Sequence, residues 1–230
     1  MKNRKGRVAP RRAIVLLSGG LDSATVLYLA QSMGYNCLCL IFDYGQRHRK
    51  ELRAARSIAE SASVEYEIIK IAFPQRGSSL LDKRLKVVSN VGKDILIPPT
   101  YVPGRNIVFL SYALSFAEIH KAQAIFIGAH AHDYSGYPDC RPDFFRAFRN
   151  MVRLGTKTGV EGKPVHILAP LLHKNKAQII RIGKRLNVPF ELTWSCYRGG
   201  RSPCRVCDSC HYRAKGFAGA KLRDPLIHDR

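Results

Sequence analysis

Ser18-Gly19-Gly20-Leu21-Asp22-Ser23 packs two hydroxyls, a carboxylate and two glycines between an apolar run and an amphipathic one. A turn of this composition aims backbone N–H groups and the positive end of a helix at one point. Gly19 and Gly20 let an anion approach the backbone closely. The guest it suits is a phosphate or pyrophosphate. An ordinary strand-turn-helix connection, with Asp22 and Ser23 as caps, is the alternative. The chain contains no GxxxxGK[ST], so the usual kinase or motor-type phosphate loop is excluded.

Cys196, Cys204, Cys207 and Cys210 place four soft ligands within fifteen residues. Four thiolates at such spacing can wrap one tetrahedral Zn2+ in a closed, structural site. An iron–sulfur cluster uses a similar C-x2-C-x2-C run, but its fourth cysteine follows downstream with a proline, whereas Cys196 lies upstream. The spacing favours zinc, pinning a coil-like C-terminal segment. The seven cysteines are odd in number and no secretory signal is visible, which argues against a disulfide framework. Cys37 and Cys39 alternate in an apolar run and read as buried thiols.

Three further clusters could meet a nucleotide or a second substrate. Asp43-Tyr44-Gly45-Gln46-Arg47-His48 follows an apolar run directly, and Tyr44, Gln46 and His48 are its candidates, against a plain turn with a helix cap. In Val102-Pro103-Gly104-Arg105-Asn106, Arg105 can bring charge to phosphate or carboxylate, against a plain helix start. Asp133 through Pro142 offers Asp133, Asp139 and Arg141 among aromatics. A purine-like base needs a carboxylate acceptor and a ring to stack on, although a well-capped loop has the same composition. Lys174 and Lys176 open the last periodic segment, from which either could reach ATP phosphates.

These residues need a scaffold. Short apolar runs at Ala13–Leu17, Asn36–Phe42, Val64–Ile71, Ala124–Gly128 and Val165–Leu168 read as strands, nearly all apolar on both faces. Helical spacing predicts helices over Asp22–Met33, around Leu52, Ala55, Ala59 and Ala62, over Asn106–Lys121, Asp143–Leu154 and Asn175–Leu186. The Asn106–Lys121 helix is apolar around much of its circumference, which predicts burial. Strands alternating with helices predict an α/β fold with a doubly wound parallel sheet. Phe73–Asn106 breaks the rhythm and is expected to cover the active face. The expected organisation is a basic disordered tail at 1–12, a nucleotide domain at 13–190 and a small cysteine-bearing segment at 191–230 packed on it.

The chain has 230 residues, 46% of them hydrophobic, enough for one domain with a sizeable core. No apolar run approaches a membrane span and the N-terminus has no signal-type apolar core, so the expectation is a cytoplasmic protein without membrane contact. Lys and Arg number 38 against 17 Asp and Glu, a formal net charge of +21. That surface attracts polyanions and raises a nucleic-acid partner as an alternative.

The order SGGLDS, DYGQRH, VPGRN, SGYPDCR, TWSCY and CxxCxxC closely resembles the 7-cyano-7-deazaguanine synthase family of PP-loop ATP pyrophosphatases. The resemblance covers roughly residues 13–215 and implies an adenine-nucleotide alpha-hydrolase-like sheet. It also implies a bacterial or archaeal enzyme of queuosine or archaeosine precursor synthesis. Its substrates would be 7-carboxy-7-deazaguanine, ammonia and two ATP, and its product the nitrile preQ0. Leu17, Ser18, Gly19, Gly20, Leu21, Asp22, Ser23, Ala24 and Thr25 would hold ATP and its Mg2+, with Phe42 and Lys176. Asp22, Ser23, Arg105 and Lys176 would act in catalysis. Tyr44, Gln46, His48, Arg105, Asp133, Asp139 and Arg141 would receive the base or its carboxylate. Cys196, Cys204, Cys207 and Cys210 would ligate zinc, and a homodimer is implied. The basic N-terminal arm and Arg153–Pro164 depart from the family pattern. A tRNA-modifying enzyme of the same superfamily, such as a thiolase, and a relative that stops at the amide are the alternatives. The substrate-loop motifs match the small-base enzyme rather than the tRNA enzyme, and a nucleic-acid contact through the basic surface stays open as the less favoured reading.

Overall fold

A computed structural model describes residues 11–89, 91, 96–130 and 136–227. Strands β1 (Arg11–Leu16), β2 (Tyr35–Asp43), β3 (Glu65–Lys70), β4 (Ala124–Phe126) and β5 (His166–Leu168) pair in parallel in the order β3-β2-β1-β4-β5. The helices among the described residues are α1 (Leu21–Ser32), α2 (Lys50–Ser61), α3 (Arg105–Ile119), α4 (Pro142–Gly155), α5 (Lys157–Val160), α6 (Lys176–Arg185) and α7 (Asp208–Ala220). The sheet is doubly wound, as the alternation of strand and helix predicts.

Successive strand residues point to opposite faces, and both faces are covered. Ile14, Leu16, Leu40 and Phe42 pack with Leu110 and Ala113 of α3 and Phe145 and Phe148 of α4. Ala13, Val15, Cys39 and Ile41 pack on the other side with residues of α1, α2, α6 and Phe217 of α7. Cys37 and Cys39 are buried there, and burial pushes the Cys37 thiol up to about 12. From β1 the chain lays β2 on one flank and β4 on the other. The crevice beyond their C-terminal ends is where such sheets bind ligands.

The strand and helix ends shift by one or two residues from expectation, and β1 begins at Arg11, so Arg11 and Arg12 pair with Tyr35 and Asn36. Two differences have physical content. The helix over Asn106–Lys121 is not buried all round: Leu110, Ala113 and Ala117 face the core, while Ile107, Tyr112 and Ile119 stand in solvent. The C-terminal segment is not coil-like, because α7 runs through it.

What fastens α7 is Arg213. Its Nε and Nη2 donate to Asp224 at 2.8 and 2.9 Å, its Nη1 to Thr193 Oγ1 at 2.7 Å and its Nη2 to the Phe190 carbonyl. Both charged side chains are 5% exposed. Removing one member of such a pair leaves the other buried and uncompensated, so Asp224→Asn should destabilise the chain by about 3–5 kcal/mol. Chemical denaturation checks this through a lower midpoint at unchanged slope.

Arg47 ties down the irregular excursion after β3, donating from Nη1 to the Ser79 and Leu85 carbonyls and from Nη2 to Lys83. That brings Leu80 to the rim of the crevice.

Candidate active site

The turn after β1 is held open from within. Ser23 Oγ accepts from the Ser18 amide at 3.2 Å, donates to the Gly20 carbonyl at 3.0 Å and lies 3.0 Å from Ser18 Oγ. Gly19 has φ +84°, and a Cβ there would strike the Glu51 carbonyl and lie 2.8 Å from the Ala55 amide. A Cβ on Gly128, just past β4, would stand 2.9 Å from the Ser23 amide. These two glycines let three backbones converge at the N-terminus of α1, where unpaired helix amides and the helix dipole favour an anion.

Beside this turn Lys176, Asp22 and His130, from three parts of the chain, form a triad. Lys176 Nζ, at the first residue of α6, donates to Asp22 Oδ1 and Oδ2 at 2.8 and 2.7 Å and lies 3.0 Å from His130 Nε2. His130 Nε2 is 3.3 Å from Asp22 Oδ2. Burial by itself raises the Asp22 carboxyl, but Lys176 and His130 together hold it well below the usual carboxylate range. The ion pair thus adds stability that is full above the ordinary carboxylate range and disappears only as pH falls through the lowered value. Asn175 caps α6 through a capping box with Gln178, which fixes where Lys176 begins.

A cavity of about 290 Å³ opens from the turn. Its far wall holds Arg105, whose Nη1 donates to Tyr44 Oη at 3.4 Å and whose guanidinium lies 5.8 Å from that ring's centre. Tyr137 bonds Thr100 Oγ1 at 2.7 Å and also meets Tyr197. Glu51, on α2, faces the same space. Burial raises its carboxyl to about 7, opposed by Arg105 and aided by Cys196.

The structure brings together Leu17, Ser18, Gly20, Leu21, Asp22, Ser23, Phe42, Tyr44, Gln46, Arg105 and Lys176 around this cavity. Gly19, Ala24 and Thr25 stand behind it, with Thr25 Oγ1 donating to the Leu21 carbonyl inside α1. Gln46 lines the cavity yet spends its amide on the backbone, accepting from the Tyr44 amide and donating to the Phe42 carbonyl.

His48 does not reach the cavity. It packs on Gly199, where any Cβ would collide with the imidazole, and burial lowers its pKa. Asp139 also turns away, because its Oδ2 accepts from the Asn106 amide at 3.0 Å and satisfies the first turn of α3. Arg141 is exposed at the start of α4. Asp133 lies outside the described residues.

Sequence reasoning missed Glu51, His130, Trp194, Ser195 and Tyr197. Only the TWSCY run and the histidines after β4 carried a signal; Glu51 reads as one more acid on an amphipathic helix.

The four cysteines meet as their spacing predicts. Their Sγ atoms lie within 4.8 Å of one another, with Cys204 and Cys210 at 3.9 Å. Four thiolates about 2.3 Å from one ion sit roughly 3.8 Å apart, so the donor set fits a single tetrahedral metal ion. Hydrogen bonds from Cys207 and Cys210 lower the Cys196 thiol. This loop is fastened to the turn after β1 and to α2: the Trp194 amide donates to the Gly19 carbonyl at 2.8 Å, and Lys50 lies 4.1 Å over the Trp194 ring while bonding the Gly200 and Arg201 carbonyls.

The sequence model of the family described as "Queuosine biosynthesis protein QueC" matches residues 12–221. The chain belongs to the QueC family. Relatives of this QueC chain include the 7-cyano-7-deazaguanine synthases of Acetivibrio thermocellus, 52% identical over 94% of this chain and 97% of that one, and of Thermoplasma volcanium, 47% identical over 96% and 92%. The named relatives are enzymes, and so is this QueC member. Among solved structures, NMN synthetase from Francisella tularensis is similar with a TM-score of 0.49 and 16% identity, covering 94% of this chain and 89% of that one. No helix among the described residues of the QueC chain is long and apolar enough to cross a membrane.

Proposed function

We propose that the chain is an ATP-dependent ligase that converts 7-carboxy-7-deazaguanine and ammonia into 7-cyano-7-deazaguanine, feeding queuosine or archaeosine formation. The observation that carries the reading is the Lys176–Asp22–His130 triad at the mouth of the Ser18–Ser23 turn. A largely buried cation beside a turn whose amides suit an anion, within a chain about half identical to named synthases, supports this reading.

A carboxylate is a poor electrophile, so its oxygen first attacks the α-phosphorus of ATP and pyrophosphate leaves. Ammonia then adds to the acyl carbon, AMP departs and a proton is lost, giving the amide. The amide oxygen attacks a second ATP, again releasing pyrophosphate. Loss of AMP and the remaining nitrogen protons leaves the nitrile. The Ser18–Ser23 amides and hydroxyls hold the leaving pyrophosphate, and Lys176 meets the charge that develops on it. Mg2+ carried by ATP neutralises phosphate charge and would meet Asp22 and Ser23. Zn2+ held by Cys196, Cys204, Cys207 and Cys210 would have a structural duty, ordering the loop that presents Trp194, Ser195 and Tyr197.

Mass spectrometry of products from purified protein with 7-carboxy-7-deazaguanine, ammonium, Mg2+ and ATP tests this. Nitrile with two AMP per molecule is the expected result. The amide alone would assign a partial reaction, and ATP cleavage only in the presence of tRNA would replace the reading with a tRNA-modifying one.

A further inference from the structure

Of the carboxylates expected to receive the base, Asp139 caps α3 and Asp133 lies outside the described residues. Asp22 lines the cavity but is committed to Lys176 and His130, and Glu51 lines it as well. Among the described residues the Glu51 carboxylate accepts no hydrogen bond and forms no ion pair, and the residue is only partly exposed. A partly desolvated acceptor without a donor is costly, and it becomes useful when a ligand brings the donor. Arg105 shares that wall and is close enough to act electrostatically on Glu51. Its guanidinium has more donors than its bond to Tyr44 uses.

An acceptor pair beside a donor fork is a pattern that one kind of heterocycle edge completes. The guanine-type edge presents a carbonyl oxygen, a ring N–H and an exocyclic amine in a row. We propose that Glu51 and Arg105 together read this edge of the substrate, Glu51 accepting from the ring N–H and the 2-amino group and Arg105 donating to the carbonyl oxygen. The inference rests on the proposed function and assigns the specificity-determining residue within it. Adenine presents an amine where Arg105 needs an acceptor and a bare ring nitrogen where Glu51 needs a donor. The subsite therefore rejects the base of ATP, which keeps the two nucleobases of the reaction apart. Tyr44 and Tyr197 supply the aromatic walls, and neither Glu51 nor Arg105 belongs to the triad beside the turn. Glu51 comes from the N-terminal turn of α2, whose backbone also packs on Gly19, so one helix start shapes both subsites.

The test is calorimetric binding of 7-carboxy-7-deazaguanine, 7-deazaguanine, 7-deazahypoxanthine and 7-deazaadenine to the full-length protein and to Glu51→Gln. The wild type should bind 7-deazaguanine about 10- to 100-fold more tightly than 7-deazahypoxanthine, which lacks the 2-amino group, and hold 7-deazaadenine more weakly still. Glu51→Gln should lose about that factor for both guanine-type ligands and cease to distinguish 7-deazaguanine from 7-deazahypoxanthine. That ratio would not move if Glu51 served the fold alone, and an unchanged melting temperature checks folding separately. An intact ratio in Glu51→Gln overturns the proposal, as does a fall in kcat with ammonia at unchanged KM, which would make Glu51 a proton acceptor instead. Failure of the wild type to bind 7-carboxy-7-deazaguanine at all would overturn the proposed function itself, a result the variant comparison cannot mimic.

Discussion

Lys176→Met should lower kcat by about 10²- to 10³-fold while changing the KM for ATP far less. The lysine is 12% exposed and bonded to both oxygens of Asp22, so its charge is fixed before any substrate arrives. A cation held in place in a largely dry site stabilises developing charge without the cost of reorganising, and methionine keeps the volume while removing that charge. Pyrophosphate release followed with a coupled assay reads the effect directly. The single change also leaves Asp22 buried against His130 alone, so stability falls with activity. Asp22→Asn/Lys176→Met separates the two: it should recover the melting temperature and leave kcat low. A kcat within a few-fold of wild type for Lys176→Met would remove the lysine from the catalytic machinery.

The largest stability effect is expected at the four-thiolate cluster. Cys207 is fully buried and stands at the N-cap of α7, so it serves the metal site and the helix start together. Cys207→Ser should release one equivalent of bound metal and destabilise the chain on the order of 4 kcal/mol or more. Chelation should reproduce both changes in the unmutated protein, because metal-binding energy at such sites is folding energy. Elemental analysis and thermal melting check them in one preparation. Zinc at one equivalent is the expected content, whereas iron with a visible chromophore would point to a cluster in which each cysteine caps a separate metal.

The sheet was legible because the central strands are short apolar runs whose two faces are both covered, bounded by Gly34, Asp43 or Gly128, while β3 at the edge alternates, with Glu65, Glu67 and Lys70 exposed. The Ser18–Ser23 turn was equally plain, since few structures need two glycines between a strand and an acidic helix start. Helix α7 was missed because its apolar positions are interrupted by glycines and by Arg213, which is buried through its ion pair and not through hydrophobicity. In α3 the composition overstated burial: its apolar residues run round the helix, but the face with Phe109, Leu110, Ala113, Leu114 and Ala117 packs toward the sheet while Ile107, Tyr112 and Ile119 are exposed. Asp139 was read as a ligand because a carboxylate in a Gly/Pro loop looks the same from sequence whether it faces a cavity or caps a neighbouring helix. For Glu51 the reverse held, since nothing local distinguishes an acid at a helix surface from one turned toward a cavity by the packing of distant segments.

The bond from the Trp194 amide to the Gly19 carbonyl joins nearly opposite ends of the chain. The turn after β1 therefore acquires its final packing only once the chain has been made past Trp194, and Lys176 and α7 are supplied from the same stretch. Until those residues are in place the turn between β1 and α1 lacks its long-range support, so its contacts form late among the steps of folding.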